Sequence, residues 1–156
     1  MRISQKVAQI APSLTLEITA KAKKMKAEGI SVISFGAGEP DFNTPEYIIN
    51  SAKKALDIGF TKYTAASGML ELKKAVAEKF LVDNGLKYAP EQIVISSGAK
   101  SSLFHAICAL VDDGDEVIIP SPFWLTYPEL VRLAGGKSVY IETTSDNDYK
   151  ITAEQL

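Results

Sequence analysis

Ile93-Val94-Ile95-Ser96-Ser97-Gly98-Ala99-Lys100-Ser101-Ser102 is the stretch on which the fold turns. Its β-branched half predicts a strand over 92–96, and its small residues lead with hardly a gap into an amphipathic helix. Leu103, Ile107 and Leu110 repeat at helical spacing, and Phe104 and Val111 widen the same apolar face. The first-turn amides of such a helix have no intrahelical acceptor, and the helix dipole favours negative charge there. Gly98 and Ala99 keep side chains out of the way, so a phosphate can sit against the backbone. A tight strand-to-helix turn with no ligand accounts for the same residues, because short Gly-Ala turns are common in α/β folds.

Working outward, residues 1–14 read as an extended arm carrying Pro12. A helix is predicted over 15–28, stopped by Gly29. A short strand over 31–35 precedes the Gly-rich loop Phe35-Gly36-Ala37-Gly38-Glu39-Pro40-Asp41-Phe42. Thr44 as N-cap and Pro45 at the first helical position open the next helix, whose face Ile48, Ile49, Ala52 and Leu56 is expected to be buried. A helix over 69–84 is expected to bury Met69, Leu72, Val76 and Phe80 before Gly85 closes it. From residue 92 the pattern is strand, helix, strand, helix, strand, with later strands over 116–119 and 138–142 and a second helix over 127–134. Such alternation predicts parallel strands covered by helices. Thr152 and Gln155 have the spacing of a capping box, so a helix is announced at the last residues given. One isolated turn is unstable, which predicts that the chain is the front part of a longer protein.

Composition narrows the function classes. The chain has 156 residues, 46% hydrophobic and 23% charged, which is ordinary globular usage. A formal charge of −2 argues against nucleic acid as a partner, where a basic stripe is expected. Lysines 21, 23, 24 and 26 scatter around their helix, which predicts a solvated surface. One cysteine, Cys108, excludes an internal disulfide framework, and its apolar neighbours predict inert burial. With His105 the sole histidine, a zinc site built on several His and Cys ligands is excluded by count, and no metal is expected. No run approaches membrane-spanning length and the first residues lack a signal-peptide core, so no membrane and a cytoplasmic location are the expectations.

Four segments carry a resemblance. They are the Gly-rich stretch with its continuation Asn43-Thr44-Pro45, the run Tyr63 through Gly68, Leu72 and Lys73 to Ala75, the segment Gly98-Ala99-Lys100, and Pro120-Ser121-Pro122-Phe123-Trp124. In this order and spacing they resemble the N-terminal part of the class I (fold type I) aminotransferases that use pyridoxal 5′-phosphate, most closely the bacterial and archaeal aspartate aminotransferase branch. The likeness runs from about Ile3 to the last residue. It implies an α/β, three-layer pyridoxal-phosphate-dependent transferase-like fold, a parallel-rich sheet covered by helices, incomplete in this chain. Residues 1–44 would be an N-terminal arm and part of the small domain. Residues 45–156 would be the first part of the large, cofactor-binding domain.

The resemblance also implies roles. The amides of Gly98, Ala99 and Lys100 would hold the cofactor phosphate. Trp124, which follows a strand end where open α/β sheets bind ligands, would stack on the pyridine ring. Phe123 stands where relatives often carry tyrosine. Tyr63 would donate its hydroxyl to the cofactor phosphate of a neighbouring subunit, which implies a homodimer with shared sites. Gly38 would border the substrate carboxylate, Lys100 would meet the side-chain carboxylate of an acidic substrate, and Trp124 would belong to the substrate site as well as to the cofactor's. The implied reaction moves an amino group between aspartate or glutamate and a 2-oxo acid. The family's Schiff-base lysine, the aspartate facing the pyridine nitrogen and the arginine gripping the substrate come later in sequence, so no catalytic residue is assigned here and these residues alone are expected to be inactive.

Each of those residues also has a plainer reading: Trp124 as a core residue, Tyr63 as a surface tyrosine, Lys100 as a solvated first-turn lysine and Gly38 as a turn. A truncated binding module or a regulator with an aminotransferase-like domain is a different class of function for the whole. Within the family, a lyase of the aminocyclopropane-carboxylate synthase type is another. Ser97-Gly98-Ala99-Lys100 is also Ser-x-x-Lys, and Ser145-Asp146-Asn147 matches a second signature of serine acyl hydrolases, but the third, Lys-Thr-Gly, is missing. Gly135-Gly136-Lys137-Ser138 fails as a phosphate loop, because position 131 is valine and the order runs from helix to strand.

Overall fold

The computed structural model describes residues 2–36 and 38–156; Met1, at the head of the expected arm, and Ala37, inside the Gly-rich stretch, lie outside the described residues. In chain order the elements are α1 (Gln5–Ala8), α2 (Leu14–Ala27), α3 (Glu46–Asp57), α4 (Leu70–Asn84), α5 (Ala99–Leu110), β1 (Glu116–Ser121), α6 (Thr126–Ala134) and β2 (Lys137–Glu142). The chain divides into two compact units, Met1–Ala37 with Leu103–Leu156, and Gly38–Ser102.

The first unit is built on a strand–helix–strand core. β1 and β2 pair in parallel, with Glu116 opposite Lys137 and Ser121 opposite Glu142. α6 connects them and buries Pro128, Leu130 and Val131. Val131 is 1% exposed, and Ile119 of β1 is buried too, so the strand's apolar run meets the helix's apolar stripe. Tight turns hold the ends in register: the Gly136 amide donates to the Val131 carbonyl at 3.0 Å, and the Lys137 amide to Asp115 at 2.7 Å. The N-terminal arm is tied to α6 by Arg132, whose guanidinium donates to the Gln9 carbonyl at 2.9 Å while pairing with Glu129 at 3.0 Å. The chain after α2 runs close against it, because a Cβ on Gly36 would lie 2.7 Å from Ile18 Cγ2.

The second unit holds α3, α4 and the opening turn of α5. α4 is closed at Gly85, where the Leu86 amide donates to Phe80 at 3.0 Å. Phe80 then meets Tyr88 edge-on at 6.0 Å between ring centroids. Ile93 is buried here, and so is one charged residue, Lys73.

Several expectations need correction. Residues 93–97 form no strand: a 3-10 turn takes Pro90–Gln92, and no ladder partner is present among the described residues. The predicted strand over 31–35 is likewise absent. The arm contains a short helix, α1, whose amide at Val7 is capped by the Ser4 hydroxyl at 3.3 Å. Pro45, not Thr44, occupies the cap of α3. The helix announced by Thr152 is a 3-10 turn, Ala153–Gln155, with the Thr152 amide donating to the Gln155 side chain at 3.0 Å. Cys108 is exposed. Ile48, Ile49 and Leu56 of α3, Leu72 of α4 and Leu110 of α5 are exposed as well, although each stands on a predicted core face.

One physical reason covers most of these departures. A strand needs a neighbour and an apolar helix face needs a cover, and these residues do not supply all of them. The accessible surface is 12917 Å². Two compact bodies of these sizes, counted separately, would expose about 9,200 Å². The lysines of α2 are solvated as predicted, and no helix among the described residues is long and apolar enough to cross a membrane.

Candidate functional site

α5 begins at Ala99, directly after Gly98, whose φ is +83°. That left-handed backbone is the reason a glycine stands there, since a side chain would be strained. A Cβ on Gly98 would meet no atom within 4 Å, so the approach to the helix start is open space. Residues 97–100 are all exposed. Around this opening the Ser101 hydroxyl donates to the Ser97 carbonyl at 3.2 Å, and the Ser102 amide donates to Gly98 at 3.3 Å. The first-turn amides have no intrahelical acceptor, which leaves a small, uncluttered, anion-seeking surface.

The segment leading into it is held from the side. The Ile95 amide donates to the Ser67 carbonyl at 3.0 Å. Gly68 lies so close that a Cβ there would sit 2.5 Å from Ile95 Cγ1, and its φ is +102°. Ser67 and Gly68 end the loop that carries Tyr63, whose ring is fully exposed. Gly38 is exposed, with nothing near a Cβ built on it. Five of the six predicted site residues, Gly38, Tyr63, Gly98, Ala99 and Lys100, therefore belong to the second unit, and Trp124 belongs to the first.

Trp124 follows β1 by three residues, past a cis Ser121–Pro122 peptide. It sits at the carboxyl end of a parallel strand, the end where α/β sheets bind ligands. Its indole is 45% exposed and meets Tyr127 edge-on, 5.8 Å between centroids. With Leu103, Ile107, Ile119 and Val131 it lines an apolar cavity of about 490 Å³ between α5, β1 and α6. Beside it, Phe123 stacks on Tyr140 of β2 at 5.1 Å and 15° between planes. The Thr143 hydroxyl donates to the Ser121 carbonyl and braces the same strand end. Trp124 is thus a half-exposed aromatic set beside Tyr127 and the cavity.

Two partners were not legible in the sequence. Tyr127 stands three residues from Trp124, helical spacing that a search for aromatic pairs finds. Lys73 donates from Nζ to the Ser67 hydroxyl at 3.0 Å, a pairing across six residues that follows no local periodicity.

The family model for aminotransferase class I and II matches residues 30–156. The chain belongs to that family. Among curated relatives it is 51% identical, over all 156 residues, to an aspartate aminotransferase of Bacillus subtilis (strain 168), covering 40% of that protein. It is 49% identical to an aspartate/prephenate aminotransferase of Nitrosomonas europaea, covering 100% of this chain and 39% of the relative. Among solved structures, the aspartate aminotransferase of Rhizobium meliloti superposes with a TM-score of 0.92 at 45% identity, over 99% of this chain and 39% of that one. That of Thermus thermophilus with maleate gives 0.94 at 42% identity, over 99% and 41%. The fold is therefore the α/β fold of these aminotransferases, present in part. The chain spans about two-fifths of the length of the relatives it matches.

Proposed function

We propose that the protein to which these residues belong is a pyridoxal 5′-phosphate-dependent aminotransferase, acting between aspartate or glutamate and a 2-oxo acid in the cytoplasm as a homodimer. The observation that carries the reading is the start of α5, where a left-handed glycine and an alanine leave open backbone before a helix N-terminus. A phosphate monoester fits such a place: no side chain fills it, and dipole and amides both favour a dianion.

On this reading the amides of Gly98, Ala99 and Lys100 bind the phosphate, and Trp124 stacks on the ring. Tyr63 donates its hydroxyl to the phosphate held by the neighbouring subunit. Gly38 lets the substrate carboxylate approach the backbone, and the Lys100 ammonium selects an acidic side chain. Bound there, the cofactor supplies an electron sink for chemistry at the amino acid's α-carbon. These residues bind and orient, while the proton-transferring lysine belongs to sequence beyond residue 156. Residues 1–44 are assigned to the arm and small domain, and 45–156 to the large domain, as part of the same proposal.

Identity of 49% to an aspartate/prephenate aminotransferase favours prephenate as a second amino acceptor. The test is turnover by the native full-length protein with aspartate and 2-oxoglutarate, followed as oxaloacetate formed. Transamination, faster with acidic than with neutral donors, is expected. Cofactor-loaded protein that leaves aspartate unchanged contradicts the proposal.

A further inference from the structure

Lys73 is a charged residue buried to 9% exposure on α4, and none of the ion pairs among the described residues includes it. The side chain is packed along most of its length and its ammonium meets no carboxylate among the described residues, so the polar group it does meet carries weight. That group is the Ser67 hydroxyl, 3.0 Å from Nζ. Ser67 in turn accepts the Ile95 amide on its carbonyl at 3.0 Å, and the next residue, Gly68, closes against the Ile95 side chain. Ser67 is thus a node with two attachments: its hydroxyl is held by α4, and its carbonyl holds Ile95 in the segment that enters α5 four residues later. The loop bearing Tyr63 ends at the same node.

We propose that Lys73 is a positioning residue for the phosphate-binding end of the site. Through Ser67 it fixes both the Tyr63 loop and the approach to Gly98, without touching the anion itself. A direct hydrogen bond from a cation restricts Ser67 more than a neutral one does, because charge-assisted bonds are shorter and stronger. The family resemblance assigns Lys73 no such work. The inference rests on the aminotransferase reading above, since it presumes a phosphate at α5.

The test compares binding of pyridoxal 5′-phosphate with that of unphosphorylated pyridoxal, by equilibrium titration of the native full-length protein. Wild type is expected to prefer the phosphorylated form. Lys73→Met keeps the apolar stem and removes the charge. It is expected to reduce that preference about tenfold, since small misplacements of a binding constellation are costly, while pyridoxal affinity stays unchanged. Ser67→Ala leaves the lysine and removes its acceptor, so it tests the node where Lys73→Met does not fold, and it should move the preference the same way. Equal loss for both ligands, or no loss for either, overturns the positioning role. A wild-type protein with no preference for the phosphate overturns the aminotransferase reading instead.

Discussion

At the residue scale, a few individual side chains carry the account. Trp124 is half exposed and braced by Tyr127. Trp124→Ala in the native protein is expected to weaken cofactor binding by about 0.5–1.5 kcal/mol beyond lost area, measured by equilibrium titration, with Trp124→Phe close to wild type. An alanine variant that binds as wild type would remove the stacking role. Lys100→Ala is expected to cost about 1.5–3 kcal/mol in kcat/KM for aspartate, with neutral donors unaffected. Equal losses for both classes would mean that the ammonium does not read the substrate side chain. Gly68 combines a φ of +102° with Ile95 in the space of a Cβ, so Gly68→Ala is expected to lower the melting temperature. Residue types at these sites were legible because small, aromatic and cationic groups limit the available chemistry. The Lys73–Ser67 pair was not, because nothing local connects positions six apart at a helix entrance.

At the element scale, the start of α5 does two jobs whose energetics have opposite sign. An aspartate at Ala99 favours the helix dipole by about 0.3–1 kcal/mol but meets the phosphate with like charge. Ala99→Asp is therefore expected to leave the thermal stability of the cofactor-free protein unchanged or raised while cofactor affinity falls; unchanged affinity would count against an anion site. The 3-10 turn at Ala153–Gln155 titrates. The amide of Glu154 itself, and then the Thr152 hydroxyl, hold the Glu154 carboxyl below its usual range. A lowered folded value means the turn is supported above the ordinary carboxylate range and loses that support as pH falls through the lowered one. The starts and ends of α2, α3, α4 and α6 were legible in sequence to within a residue or two, because caps and apolar spacing are local, whereas α1 was missed in the segment read as an extended arm. The strand over 92–96 was not, since a ladder requires a partner, and none lies among the described residues. Of that run Ile93 is nonetheless buried, while Val94 is exposed.

At the scale of the whole molecule, exposed apolar faces dominate. Ile48, Ile49 and Leu56 on α3 and Leu110 on α5 lie open, and a two-stranded sheet is marginal alone. Isolated residues 1–156 are expected to unfold without a cooperative transition, to bind a hydrophobic dye and to show no transamination. A sharp, reversible transition by calorimetry, or turnover by the isolated piece, would contradict that. The fold class was legible because alternation of strand and helix is a pattern of the chain itself, whereas burial depends on what else packs against it. The central claim is that the amides opening α5 hold a phosphate with Trp124 against the ring. A crystal structure of the native full-length protein with pyridoxal 5′-phosphate tests it most directly. The account predicts phosphate oxygens within hydrogen-bond distance of the Ala99 or Lys100 amides and the Trp124 indole stacked on the pyridine. Phosphate bound elsewhere, with the start of α5 facing only solvent or other side chains, would contradict it.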